Sequence, residues 1–250
     1  MVRRLLTLLF ALSLALPGSA QADEASLLVE PAWLHARLQD PTLRIVDMTT
    51  GPGTYQAGHI PRAVYLSIRD LMPQAPPAGF RALNAEEAAR LFGRLGITNE
   101  SQVVIYDEAG SLHASRLFFT LELFGHKKVS ILNGGLPAWR RGSFPLVPEI
   151  PKVTPTAYRV TQEPERLVTA EWILARLKDP RMALVDARSA EEYRGVEVLA
   201  RRGGHIPGAV HIEWLQHLQR DGTLRPISLL SSFKVACRVT FSISSMSMKD

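Results

Sequence analysis

A single cysteine, Cys237, stands among the 250 residues. That excludes any disulfide within the chain. The seven histidines are scattered, with none of the short spacings that gather metal ligands, so neither a metal centre nor another cofactor is expected. Lys and Arg form no long clusters interleaved with aromatic residues, which argues against nucleic acid as a partner. No apolar run reaches the roughly 18 residues that a membrane-spanning helix needs. The longest, residues 5–16, follows Arg3 and Arg4 and leads to Ala20-Gln21-Ala22. A basic start, a short apolar stretch and a small-residue cleavage site make residues 1–22 a secretory signal peptide; the alternative is an uncleaved anchor. Cleavage predicts a periplasmic or secreted protein with no membrane attachment. It also removes two positive charges from a formal net charge of +5, an excess that suits small anionic substrates without requiring them.

What is present is a repeat. Leu28-Val29, Trp33, Ala36-Arg37-Leu38 and Asp40-Pro41 return in register as Leu167-Val168, Trp172, Ala175-Arg176-Leu177 and Asp179-Pro180. The register holds through Val46-Asp47 and Val185-Asp186. After an insertion it resumes as Gly58-His59-Ile60-Pro61 and Gly204-His205-Ile206-Pro207. A repeat this long means two copies of one domain and not a solenoid. The boundaries read as a first domain over 23–144, a proline-rich linker over 145–165, a partial second domain over 166–226 and a divergent tail over 227–250.

Within the first copy, apolar spacing and end signals predict a helix over 31–38 with Pro31 in its first turn, and a buried strand over 43–46 ending at Asp47. Asn84-Ala85-Glu86-Glu87 is a capping box opening a helix to about Leu95. A strand is expected over 102–106, a helix over 112–124 closed by Gly125, and another strand over 129–132. Strands separated by helices imply a parallel sheet covered on both faces. Asn133-Gly134-Gly135-Leu136-Pro137-Ala138-Trp139 reads as a strand-to-helix turn that needs glycine. Residues 158–160 are a candidate edge strand, and Trp33 and Trp172 are expected core anchors of equivalent helices.

The second copy, Leu184-Val185-Asp186-Ala187-Arg188-Ser189 with Glu192-Tyr193 and then Gly204-His205-Ile206-Pro207-Gly208-Ala209, resembles the tandem rhodanese sulfurtransferases. This is the family of thiosulfate and 3-mercaptopyruvate sulfurtransferases, and the likeness covers residues 28 to about 225. It implies an α/β fold, a rhodanese-like open parallel sheet with helices on both faces in two tandem copies, the second incomplete. It also implies transfer of sulfane sulfur from a small anionic donor, thiosulfate or mercaptopyruvate, to cyanide or a thiol acceptor.

Such transfer needs a cysteine that carries sulfur as a persulfide, and only the thiolate attacks. A strand, the cysteine, a tight glycine-containing loop and a helix N-terminus supply the N–H groups and dipole that lower its pKa. In the first copy the strand is Val103-Val104-Ile105-Tyr106 and the loop is Asp107-Glu108-Ala109-Gly110-Ser111. Asp107 holds the nucleophile's position; it fits as a loop cap, cannot form a persulfide and would repel thiosulfate. Tandem members of the family commonly keep the cysteine in the second domain. Counted from Gly58 and Gly204, the counterpart of Asp107 falls past Asp250. Cys237 aligns instead with Leu91 in mid-helix, and its surroundings, Arg238-Val239-Thr240, have no glycine loop. The repeat identity fades after Pro226 into a serine-rich segment, so the expectation is a truncated or frame-shifted chain with no intact catalytic cysteine.

By resemblance, Arg188 and Arg202, with Arg201 nearby, are candidates for anchoring the donor's anionic end, since a guanidinium presents a planar fork of donors. The alternatives are solvated loop charges, or a framework pair between Asp186 and Arg188. His59 and His205 are expected to hold a turn through side-chain-to-backbone hydrogen bonds. The competing functional reading is a non-catalytic module that binds an anion or a protein partner.

Overall fold

The computed structural model describes residues 26–74, 81–200 and 202–225. The segments read as a signal peptide (1–22) and a divergent tail (227–250) therefore lie outside the described residues. The first copy builds one sheet from five strands, β1 (Leu28–Val29), β2 (Leu43–Asp47), β3 (Ala63–Tyr65), β4 (Gln102–Tyr106) and β5 (Val129–Leu132). They run in the order β1-β5-β4-β2-β3, and every pairing is parallel. Helices α1 (Pro31–Ala36), α2 (Pro52–Ala57), α3 (Ala85–Arg94), α4 (Leu112–Leu123) and α5 (Gly135–Arg141) connect them.

Side chains alternate across a strand, so the central β4 serves two cores at once. Val103 and Ile105 pack with Phe92, Leu117, Leu121 and Phe124 on the α3–α4 face. Val104 and Tyr106 pack with Leu34, Leu136 and Trp139 on the α1–α5 face. The α3 helix starts where its capping box predicts: the Asn84 side chain accepts from Glu87 N at 2.9 Å, and the Glu87 carboxylate accepts from Asn84 N at 2.9 Å. The helix after β4 ends at Leu123 with Phe124 as its cap.

Residues 158–160 are not an edge strand. The segment is a strap whose polar backbone is satisfied by helix ends and not by a ladder. Thr156 N donates to Gly93 O at 3.0 Å, Glu163 N to Leu123 O at 2.8 Å, and Arg159 N to Asn99 Oδ1 at 3.0 Å. Tyr158 is buried, with its ring 4.9 Å from that of Phe92. The strap lies so close that a Cβ on Gly125 would sit 2.4 Å from Thr161 O. The proline-rich linker is thus fastened to the first domain.

The second copy forms α6 (Ala170–Leu174), β6 (Val185–Asp186), α7 (Ala190–Arg194) and β7 (Val210–His211). The parallel β6–β7 pair reproduces β2–β3. Leu167-Val168 repeat the wording of β1 but are not a strand, because β1 pairs only with β5 and no counterpart of β5 exists among the described residues. Trp33 and Trp172 are only half-buried. Each lies under an arginine one turn on, Arg37 or Arg176, with the guanidinium 4.2 Å from the ring. The core anchors of these helices are Leu34 and Ile173 instead.

Candidate functional site

The carboxyl edge of the sheet is where an open parallel α/β fold binds its ligands, and two aspartates stand there. Asp47 ends β2 and is fully buried. Its carboxylate accepts from Thr49 N at 2.8 Å, from Thr49 Oγ1 at 2.6 Å and from the Tyr106 hydroxyl. Burial outweighs these bonds and pushes its pKa above the ordinary 3.8. Tyr106, pushed far up by burial and by Asp47, keeps its proton and also accepts from Ile60 N at 3.2 Å. Asp47 is thereby a framework carboxylate. The sequence reading missed Tyr106 in this role; a tyrosine closing a strand of aliphatic residues is the signal, because its hydroxyl must find a partner when buried.

Asp107 follows β4 and is also buried. Its Oδ1 accepts from Ala109 N and Ser111 N, both at 2.9 Å. Its Oδ2 accepts from His113 N at 2.8 Å and Ala114 N at 2.9 Å. The last two are free N–H groups of the first turn of α4, where the helix dipole also favours negative charge. Ser111, the residue at the N-cap position, makes no side-chain cap. It sits instead in the left-handed region with Gly110 before it (φ 71° and 68°), which curls the loop so that its N–H groups converge on one point. The Asp107 backbone is pinned as well: Leu136 N donates to Asp107 O at 2.8 Å. A Cβ on Gly135 would meet that oxygen at 2.1 Å, which explains the Gly134-Gly135 pair.

The loop is closed from outside. Glu108 reaches across to accept from Thr50 N at 3.0 Å. A Cβ on Gly110 would lie 2.6 Å from Leu218 and 3.5 Å from Trp214. Leu224 N donates to Asn133 Oδ1 at 2.9 Å. Residues of the second copy therefore cover the anion-binding nest of the first, and the protein's own carboxylate fills it. Nothing in the linear pattern marks Leu218 or Trp214 for this role.

In the second copy the Arg188 guanidinium makes a fork with the Asp186 carboxylate, with contacts of 2.6–3.2 Å, and donates to Gly204 O at 2.8 Å. Burial raises Asp186, but the Arg188 hydrogen bonds and charge outweigh it and bring the carboxyl below its usual 3.8. Arg202 is exposed and, among the described residues, is not brought together with Arg188. Arg201 and Cys237 lie outside the described residues. The two histidines hold equivalent turns: His59 Nδ1 is 2.8 Å from Tyr55 O, and His205 Nδ1 is 2.8 Å from Tyr193 O.

The sequence profile of the rhodanese-like domain matches residues 30–141 and 169–236. The chain belongs to the rhodanese family. The second match runs past Pro226, where repeat identity with the first copy fades. Thiosulfate sulfurtransferase from Azotobacter vinelandii is 38% identical over 199 residues, 80% of this chain and 73% of that protein. Sulfur carrier protein TtuD from Thermus thermophilus is 34% identical over 213 residues, 80% of this chain and 73% of that one. The crystal structure of the 3-mercaptopyruvate sulfotransferase SseA from Escherichia coli superposes with a TM-score of 0.74 at 30% identity, covering 83% of this chain and 82% of that one. The rhodanese fold in two tandem matches, and membership of the thiosulfate/3-mercaptopyruvate sulfurtransferase family, agree with the resemblance read from the sequence. Within this rhodanese, the loop that follows β4 in the first domain opens on an aspartate bound by four N–H groups.

Proposed function

We propose that this chain descends from enzymes moving sulfane sulfur from thiosulfate or 3-mercaptopyruvate to cyanide or a thiol, and that these 250 residues carry no persulfide-forming loop. The observation supporting this reading is Asp107. The N–H nest that would stabilise a thiolate in the first domain already holds a carboxylate, which forms no persulfide and repels an anionic donor. Cys237 lacks a neighbouring glycine loop in the sequence, and a thiol without such polarised surroundings stays mostly protonated.

Purified chain mixed with thiosulfate and cyanide, or with 3-mercaptopyruvate and a thiol, is expected to give product at the rate of the protein-free control. Thiocyanate formation that Cys237→Ser abolishes would overturn the reading. Arg188 and Arg202 remain our assigned anchors for the donor's anion. Arg202 is the freer of the two, since Arg188 must first give up Asp186.

The second reading, a non-catalytic rhodanese module for an anion or a protein partner, is favoured by the same Asp107, because a carboxylate there takes the loop out of persulfide chemistry. We also place the protein outside the cytoplasm. N-terminal sequencing of the expressed protein should begin at Asp23, and a Met1 start would count against export.

A further inference from the structure

Among the described residues, the second copy leaves open a strand edge that the first copy fills. In β6, Leu184 O and Asp186 O accept from Val210 N and Ile212 N at 2.8 and 3.0 Å. Backbone groups alternate sides along a parallel strand, so those of Val185 face away from β7. In the first copy the equivalent edge of β2 pairs with β4. Through Val104 and Tyr106 that strand also covers Ile60, which is 0% exposed. The counterpart Ile206 is 38% exposed. The edge of β6 therefore suits a strand with an aliphatic residue and, two positions on, an aromatic one.

Residues 235–243 carry that pattern. Val235, Cys237, Val239, Phe241 and Ile243 alternate with Ala236, Arg238, Thr240 and Ser242, a period of two rich in β-branched and aromatic side chains. Val239 and Phe241 have the spacing of Val104 and Tyr106. A phenylalanine in place of the tyrosine fits the chemistry of this edge. The Tyr106 hydroxyl donates to Asp47, whereas Asp186 already accepts from the Arg188 guanidinium at 2.6 Å and needs no hydroxyl. Arg238 and Thr240 fall where β4 has Val103 and Ile105, which pack against α3 and α4. The second copy has no counterpart of those helices among the described residues, and Val210 on that face is 57% exposed, so polar side chains suit it. Residues 212–237 lie between β7 and this run, more than the dozen or so that a parallel crossover requires.

We propose that the free edge of β6 is the docking site for residues 238–242 of this same chain, added beside it as a strand. Val239 and Phe241 cover Leu184 and Ile206, and Arg238 and Thr240 take the opposite face. The docking is independent of the sulfur-transfer reading, since it uses no thiol and holds whether or not the chain turns over thiosulfate.

The test is made on the full chain, labelled at isoleucine methyls and phenylalanine rings. Cross-relaxation between the Ile206 methyl and the Phe241 ring is expected. The amides of residues 238–242 should exchange roughly tenfold or more slowly than in the unfolded chain, and Ile206→Asp should remove that protection. Amides 238–242 as open in the parent as in the unfolded chain overturn the proposal, whether or not the variant folds. So does a Phe241 ring that shows no contact with Ile206. A contact found only between differently labelled molecules in a mixed sample also overturns it, because the occupant would then be a second copy.

Discussion

In the first copy Tyr55 stacks on His59 with ring centroids 3.8 Å apart, and its hydroxyl donates to Ala63 O at 2.8 Å. In the second copy Tyr193 stacks on His205 at 3.7 Å and donates to Ala209 O at 2.9 Å. The capping box of α7, Ser189 with Glu192, forms as fully as that of α3. Burial is where the copies part. Ile60 is 0% exposed and its counterpart Ile206 is 38% exposed. Val46 is buried and Val185 only half-buried; β2 has neighbours on both sides, whereas β6, among the described residues, has β7 alone. Turns and caps are made by residues close in sequence and form wherever their wording occurs. Burial needs strands and helices from far along the chain. The second copy thus shows which parts of a rhodanese domain are local.

The most damaging single change should fall on the element that has no counterpart among the second copy's described residues. Asp107→Ala strips the acceptor from four backbone N–H groups. At about 1–3 kcal/mol for each buried donor left unpaired, with water reaching some of them, the loss is on the order of 4 kcal/mol. That is a large part of a typical domain's stability. Asp107→Asn, which keeps one acceptor oxygen, should fall between that variant and the parent. Urea denaturation read by hydrogen exchange, resolved copy by copy, measures both; a first copy as resistant in Asp107→Ala as in the parent would show the nest to be dispensable.

Gly135→Ala should follow at about 3 kcal/mol, combining strain at φ +55° with overlap onto the Asp107 carbonyl. Its effect should also stay within the first copy. Destabilisation of equal size in the second would mean that the contacts through Leu218 and Leu224 tie the two copies into one cooperative unit.

The paired tyrosines sharpen the contrast directly. Tyr55→Phe removes a hydrogen bond from a buried site and should cost about 1.5 kcal/mol, whereas Tyr193→Phe, in its wetter surroundings, should cost nearer 0.5 kcal/mol. Equal losses would mean that the local geometry, and not its burial, sets the energy.

How much could be read beforehand follows the same division. The spans of β2, β4 and β5, the start of α3 and the glycine turn before α5 are marked by short apolar runs, caps and φ-permissive residues, and the structure places them accordingly. The candidate aspartate could be located by its position between strand and glycine loop. Its four N–H partners could not, because convergence of the loop depends on the left-handed Ser111, a residue with no strong preference for that region. Tyr158 was misassigned because an aromatic flanked by Arg159 and Val160 looks like an edge strand. What decides its fate is the row of open carbonyls at the ends of α3 and α4. Trp33 and Trp172 look like core residues until Arg37 and Arg176 are seen to cover them.

The smallest effect is in acid, and it has opposite signs in the two copies. Asp47 is raised above 3.8 because burial dominates, while Asp186 is lowered because Arg188 overcomes burial. For Asp186 the ionised form favours folding. Its contribution is complete above the unfolded value near 3.8 and is lost as pH falls through the lower folded pKa. For Asp47 the ionised form is the disfavoured one in the fold. Its penalty is complete above the raised folded pKa and vanishes below about 3.8. Carboxyl carbon shifts followed by NMR from pH 7 to pH 2 should therefore show Asp47 taking its proton first and Asp186 last. The acid loss of the second copy should be blunted in Asp186→Asn, while Asp47→Asn should leave the first copy's acid limb in place. Titration in the reverse order would mean that the Arg188 fork does not hold in solution, and with it the one strong polar contact that distinguishes β6 from β2.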